Sequence, residues 1–462
     1  MPLFGDVKRI IRTLPTGILK EQTTTYHNIW QISYPIILSL VAQNVVNVTD
    51  TAFLGRVGEV ELGASAIGGL FYISIYMLGF GFGTGAQILM ARRNGEKNFA
   101  DIGRIFNNSL YFLAALALAL FLFIYFLSPL VLKPFIASSG VYKASILFLR
   151  YRIFGIFLAF TNVAFRSFYV GIGRTRHLSY SAAVMATVNV ILGYLLVFGN
   201  FGFPKMGIAG AALASVIAEG CSTVYFMIVT FRRQKLSIYG LFSYSGFDLA
   251  IVMKTLNISI FMMMQYFFSL GGWLVFFMII EKMGERPLAV SNIIRSAYIL
   301  LMVPVWAFSS ATNTLVSNAL GRGHPHDVIP ITRKVITLSV ASILPVIAFT
   351  LFFPRLILAI FTTDVGLAEA TLPSLYVITG ALFLFSFMNI MFSAVVGTAN
   401  THISMFIEIF TIIVYLIAAW LIGVVFRQPI AVVWTCEYIY FGVLGLLSFH
   451  YLRYGKWHLR VV

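Results

Sequence analysis

The chain is 462 residues long, 60% hydrophobic and only 10% charged, with a mean hydropathy of +0.91. A soluble domain carries about 25% charged residues, so a soluble enzyme, a disordered chain and a fibrous protein are excluded. At roughly 20 apolar residues per crossing the length holds about 10 to 13 membrane spans and leaves little for a water-soluble domain. The net charge of +16 does not point to nucleic acid, because Lys and Arg gather at the ends of the apolar runs, where they orient a membrane protein.

In chain order, residues 1–25 are polar and mildly basic (Lys8, Arg9, Arg12, Lys20) and do not resemble a cleaved signal peptide, so an N-terminal cytoplasmic segment is expected. Twelve spans are predicted to begin near residues 28, 62, 106, 146, 178, 207, 250, 290, 335, 371, 402 and 428. The polar stretch 232–248 is the expected linker between a first lobe, 26–231, and a second, 249–462. The terminal segments and even-numbered connections carry about twice as many Lys and Arg as the odd-numbered ones, which places both termini in the cytoplasm.

Span 1 contains VAQNVVNVTD, where Gln43, Asn47 and Asp50 stand at i, i+4 and i+7 on one helix face. Such a stripe is ill suited to lipid and is expected to face an interior cavity, where the amides hydrogen-bond the acid or help coordinate a cation. A carboxyl so placed is neutral when it carries a proton and charged when it pairs with a cation, as exchange of a proton for a cationic solute requires. The alternative is an interfacial Asp capping the next segment, since TDTAFLGRVG approaches a loop. Pro35, fifteen residues earlier, removes a backbone hydrogen bond and predicts a bend.

The GFGFGTG run of span 2 has no GK[ST] after it and reads as a packing device, not a phosphate loop. Glu219 in span 6 is expected to be a buried pairing residue. Glu408 in span 11 and Glu437 in span 12 are either second titrating sites or ion-pair partners of the in-span Arg166 and Arg295. Cys221 and Cys436 lie in apolar stretches and read as packing residues. The seven histidines show no metal-ligand spacing, and His324 and His326 read as a solvated loop pair. No metal site, cofactor or catalytic cluster is therefore expected.

A repeat runs along the chain at one constant offset, the separation of Gly58 from Gly284. Gly58, Glu59, Leu62, Ser65 and Ile67 recur as Gly284, Glu285, Leu288, Ser291 and Ile293, and Gly95, Gly171 and Thr175 recur as Gly321, Gly397 and Thr401. Each half holds an even number of spans, so the halves share one orientation and are related by an axis along the membrane normal. The predicted fold is an all-α integral membrane protein, with twelve transmembrane helices in two six-helix lobes related by a pseudo-two-fold axis.

With VTDTAFLGRVG closing span 1, GFGTGAQILMARRNGE closing span 2, GIAGAALASVIAE opening span 6, and two six-span halves, the chain resembles the MATE (multidrug and toxic compound extrusion) transporters over its full length. The segment SLGGWLVFFMIIEKMGERPLAVSNIIRSAYILLMVPVWAFSSATNTLVSNALG is most similar to the DinF-like bacterial branch. The resemblance implies a V-shaped pair of lobes in the bacterial inner membrane that exports cationic, amphipathic compounds in exchange for H+ or Na+. It implies that Asp50 is the coupling acid, that Gln43, Asn189, Ser215 and Asn162 are polar residues near it, and that Pro35 is where the first helix bends.

The family's fifth-helix pattern N-x-x-L-D ends here in Gly193, which leaves Asp50 without a second carboxylate, and H+ is the expected coupling ion with Na+ as the alternative. In the second lobe Gln265 stands where another branch carries a glutamate, the matching region of span 10 offers Asn389, and both are the expected second-lobe polar contacts to substrate. The 44 Phe, 22 Tyr and 16 Met are ample to line a cavity for organic cations. A monomer among membrane lipids is expected, with no nucleic-acid partner. The competing function is a flippase for a lipid-linked oligosaccharide, which twelve spans and the Asp stripe oppose and Arg166 and Arg295 favour.

Overall fold

The computed structural model describes residues 24–232, 234–242 and 246–459, and no strand occurs among them. The predicted leader therefore lies almost wholly outside the described residues, as does part of the linker. In the first lobe the helices are α1 (Tyr26–Val57), α2 (Glu59–Gly95), α3 (Phe99–Leu132), α4 (Ser139–Arg152), α5 (Gly155–Gly171), α6 (Arg176–Phe198) and α7 (Ile208–Arg232). The second lobe holds α8 (Leu249–Glu281), α9 (Glu285–Leu301), α10 (Val303–Gly321), α11 (Val328–Phe352), α12 (Val365–Gly397), α13 (Thr401–Trp420) and α14 (Cys436–Tyr454), with short helical turns between α11 and α12 and between α13 and α14. Ten helices are long and apolar enough to span a membrane alone. Two more spans are bent pairs, α4 with α5 at 53° and α9 with α10 at 48°. Twelve spans in two lobes result.

Several helices begin before the apolar runs do. The α3 helix starts at Phe99 and not near 106, and α12 at Val365 and not near 371, because Asn98 and Asp364 cap their first turns by accepting from the backbone N–H of Asp101 and Leu367. The two bent spans have different local causes. Between α9 and α10 the break falls at Met302, two residues before Pro304, whose ring cannot continue the preceding helix. The repeat mate of Pro304 is Leu78, and α2 runs through it unbroken. Between α4 and α5 the break precedes Gly155, where a Cβ would sit 2.5 Å from Arg152 and 2.6 Å from Glu219. That ion pair occupies the elbow.

The repeat seen in the sequence is realised atom by atom. A Cβ on Gly95 would overlap the Asn318 carbonyl oxygen, and one on Gly321 would overlap that of Arg92; Arg92 and Asn318 are themselves repeat mates. A Cβ on Gly171 would lie 3.1 Å from the Gln87 carbonyl oxygen and one on Gly397 3.0 Å from that of Asn313, again repeat mates. The Thr175 hydroxyl donates to the Ile32 carbonyl at 2.8 Å, and the Thr401 hydroxyl to the Ile258 carbonyl at 2.8 Å. Small residues let the backbones approach this closely where lipid supplies no hydrophobic drive for helix association. Pro35 does not interrupt α1, which remains one helix from Tyr26 to Val57. The Gln31 carbonyl that Pro35 leaves without its helical donor instead accepts from Thr175 at 3.4 Å.

Side-chain contacts between the lobes gather at one end. Gln87 donates to Ser310 and Thr314, Ser317 to Ile88, Ser259 to Phe82, and Lys334 to Thr24. Gly81 and Gly85, from the GFGFGTG run, lie where a Cβ would press on the α8 backbone at Met263 and Ser259. Nearest the other end, these contacts finish at the edge-on pair Phe80–Tyr266, with ring centroids 5.4 Å apart. The sealed end carries the N-termini of α1 and α8 and the C-termini of α2 and α10. Beyond Phe80–Tyr266 no hydrogen bond or ring contact joins α2 to α8 among the described residues, and the cleft is this unjoined part of the seam between the lobes.

Candidate functional site

Asp50 sits near the far end of α1, in the seam where that helix packs on α6, which in turn packs on α7. Its Oδ2 accepts from the Ser215 hydroxyl at 3.2 Å, and the Ser215 oxygen accepts from Asn189 Nδ2 at 3.1 Å. Asn189 is fully buried and lies against the carboxylate. The remaining oxygens of the two residues, Asp50 Oδ1 and Asn189 Oδ1, are both buried and have no hydrogen-bond donor. Two buried acceptors without a donor are costly, and a proton on the carboxylate removes that cost at Asp50. A Cβ on Gly193 would lie 4.0 Å from Asp50 Oδ1 and 3.2 Å from the Phe53 ring, so the missing second carboxylate is missing at this very spot.

Gln43 and Asn47 do not join the cluster. Both are exposed, and neither bonds to Asp50. The three residues lie along one side of α1, but Asp50 turns into the seam toward α6 and α7, where Ser215 is nearer than residues one or two turns back on its own helix. Asn162 is also held elsewhere: its Nδ2 donates to the Glu219 carbonyl, and its Oδ1 accepts from Ser222 and Thr223. Glu219 has the structural role expected of it, receiving both Arg152 Nη atoms at 2.9 and 2.5 Å. Arg152 in turn stacks over Tyr72 at 4.1 Å. Nothing in the sequence hints at this partner, because Arg152 reads as one of two basic residues beside a connection.

In the second lobe neither acid pairs with an arginine. Glu408 Oε1 accepts from Ser269 and Tyr440, each at 2.7 Å, and Glu437 accepts from Tyr298 and Tyr415, each at 3.0 Å. Both acids point into the lobe, whereas Arg166 lies over Phe80 and Arg295 over Phe277. Acids and arginines are thus each held by other side chains, and of the two alternatives the ion pairing fails. Gln265 is buried and accepts from Ser404 at 3.2 Å, and Asn389 donates to Ser309 at 2.6 Å. Cys221 and Cys436 are free thiols. His324 and His326 are exposed, as expected, but share Asp327 within 4.8 Å, a neighbour the histidine spacing does not reveal.

The MatE family model matches the chain twice, over residues 35–195 and 259–421, one match in each lobe. The chain belongs to the MatE family. Among curated relatives, the probable multidrug resistance protein NorM of Thermotoga maritima is 24% identical over 94% of this chain and 93% of its own length. NorM of Bacillus licheniformis is 29% identical over 50% of this chain and 51% of its own. In several such alignments, including this last, the chain spans about half the length of the curated relative it matches. The fold is shared with an outward-facing multidrug resistance MATE family transporter of the MOP superfamily, at a TM-score of 0.85, 18% identity, and coverage of 93% of this chain and 95% of that one.

Proposed function

We propose that this transporter is a proton-coupled antiporter of the bacterial cell membrane, with both termini in the cytoplasm, that exports amphipathic organic compounds by alternating access. The observation that carries the coupling reading is the Asp50–Ser215–Asn189 cluster with its two donorless oxygens. A proton on Asp50 Oδ1 gives the carboxyl a donor and removes its charge. Its departure restores a charge enclosed by protein, which a membrane interior makes expensive. The two protonation states thus differ in energy by an amount that helix rearrangement around α1 can relieve. Amides and hydroxyls alone supply few oxygen ligands beside one carboxylate, so Na+ is the weaker candidate.

With the termini inside, the sealed end of the lobes is the cytoplasmic one and the cleft opens outward. Proton entry from outside would then reach Asp50 in the state described here, and re-exposure of the cleft to the cytoplasm would require the contacts around Gly81, Gly85, Gly95 and Gly321 to part. The breadth of compounds suggested by the names of the relatives agrees with a cleft bordered by aromatic side chains. The test is export of a fluorescent organic cation from proteoliposomes under an imposed pH gradient or an imposed Na+ gradient, for the intact protein and for Asp50→Asn. The pH gradient should drive export by the intact protein only. Equal export by both proteins contradicts the assigned role of Asp50, and export driven by Na+ alone contradicts proton coupling.

A further inference from the structure

We propose that the cleft selects amphipathic compounds bearing an anionic group, a carboxylate or phosphate, and that Arg166 binds that group at the cleft floor. The inference rests on the export reading above and narrows its substrate class.

Charge is distributed unevenly over the spans. Asp50, Glu219, Glu408 and Glu437 all turn into a lobe and are held there by hydroxyls or by Arg152. Arg152 has its counter-ion. Arg166 on α5 does not: among the described residues it forms no ion pair, and the titratable side chains facing it are the phenols of Tyr76 on α2 and Tyr266 on α8. Its guanidinium carbon lies 4.9 Å from the centre of the Phe80 ring, and Phe80 makes the outermost inter-lobe contact with Tyr266. Arg166 is half-buried and lies beside that last inter-lobe contact.

A guanidinium does not lose its proton in a protein, and an intramembrane charge without a protein partner is costly enough to mark a functional position. The Phe80 face supports the cation from one side. The planar N–H fork is left for a ligand, and its geometry fits two oxygens of a carboxylate or phosphate. In the second lobe Arg295 lies over Phe277 at 5.1 Å, also with no ion pair among the described residues. Two in-span arginines thus stand without a counter-ion, one of them beside the last inter-lobe contact, while the in-span acids turn into the lobes. An aromatic body with an anionic substituent complements these stacked surfaces better than a purely cationic one does.

The test is equilibrium binding by fluorescence anisotropy in an uncharged detergent at pH 8, comparing a rhodamine that has its free carboxylate with the same dye as its ethyl ester. The intact protein should bind the acid about tenfold tighter. Arg166→Gln should abolish that preference while leaving affinity for the ester unchanged, and Arg166→Lys should restore part of it. Equal binding of the two dyes by the intact protein overturns the proposal, as does a variant that weakens both dyes alike, which would mean a packing role. Adding phosphatidylglycerol distinguishes the source of the anion: no competition is expected, and displacement of the acid dye from the intact protein would assign Arg166 to a lipid headgroup instead. Because binding needs no gradient, the outcome is independent of the Asp50→Asn export measurement. Gradient-driven export of the ester without any acid preference would leave antiport standing and remove this inference alone.

Discussion

The two lobes share a backbone plan but not a polar interior. Asp50 and Asn189 of the first lobe have Phe276 and Tyr415 as their repeat mates, and those two rings pack at 5.2 Å where the first lobe has an acid and an amide. The carboxylates of the second lobe stand at other positions, Glu408 and Glu437, and each accepts from two hydroxyls. In the first lobe Asp50 keeps one buried oxygen without a donor. What the repeat retains, by contrast, is glycine and threonine at close backbone approaches: Gly95 and Gly321, Gly171 and Gly397, Thr175 and Thr401. Geometry that both halves need constrains both sequences. Chemistry needed once is free to diverge.

The largest effect should come from breaking what the lobes share. Gly95→Ala and Gly321→Ala each push a methyl group into a backbone carbonyl across the lobe interface, and should cost about 1–3 kcal/mol or more. Thermal unfolding in detergent should show both melting well below the intact protein, with Gly69→Ala, whose Cβ meets open space, unchanged. Melting temperatures indistinguishable from the intact protein would contradict the described seal.

Next come the acids of the second lobe. Glu437→Ala strands the Tyr298 and Tyr415 hydroxyls and should destabilise by about 1–3 kcal/mol, whereas Glu437→Gln, which keeps an acceptor, should melt near the intact protein and still export under a pH gradient. A folded Glu437→Gln protein that no longer exports would move part of the coupling into the second lobe. Smaller still is the threonine pair. Thr175→Val and Thr401→Val should each cost about 1 kcal/mol, with Thr175 the costlier because it also serves the Gln31 carbonyl that Pro35 leaves free. Equal losses would mean that the proline contributes nothing to the difference.

The smallest effect sharpens the comparison at the site itself. Gly193→Asp places a second carboxylate beside Asp50, with a shift of a few tenths of an ångström required of Phe53. The variant should gain a Na+-dependent rise in melting temperature through ligand linkage, and the intact protein should show none.

Much of the architecture was legible because membrane burial leaves blunt marks. Apolar runs located the twelve spans, and the constant offset of the repeat located mates such as Gly95 and Gly321 that meet across the lobes. Asp50 stood out because an acid inside a span is expensive. Its partners were less visible to spacing on one helix, since Ser215 and Asn189 reach it from α7 and α6, and it was the family resemblance that named them. Helical periodicity places residues on a face but says nothing of how a side chain turns at a seam, which is why Gln43 and Asn47 stay outside the cluster. The tyrosines that hold Glu408 and Glu437 were lost among 22 such residues, and only packing distinguishes Tyr298, Tyr415 and Tyr440 from the rest.

The coupling role of Asp50, which gives up its proton when the transported compound binds, is checked by counting protons. Addition of a saturating rhodamine ester to weakly buffered, purified protein should release about one proton per dye bound from the intact protein, and none from Asp50→Asn at matched occupancy. Equal release from both, or dye binding without release from the intact protein, would contradict it.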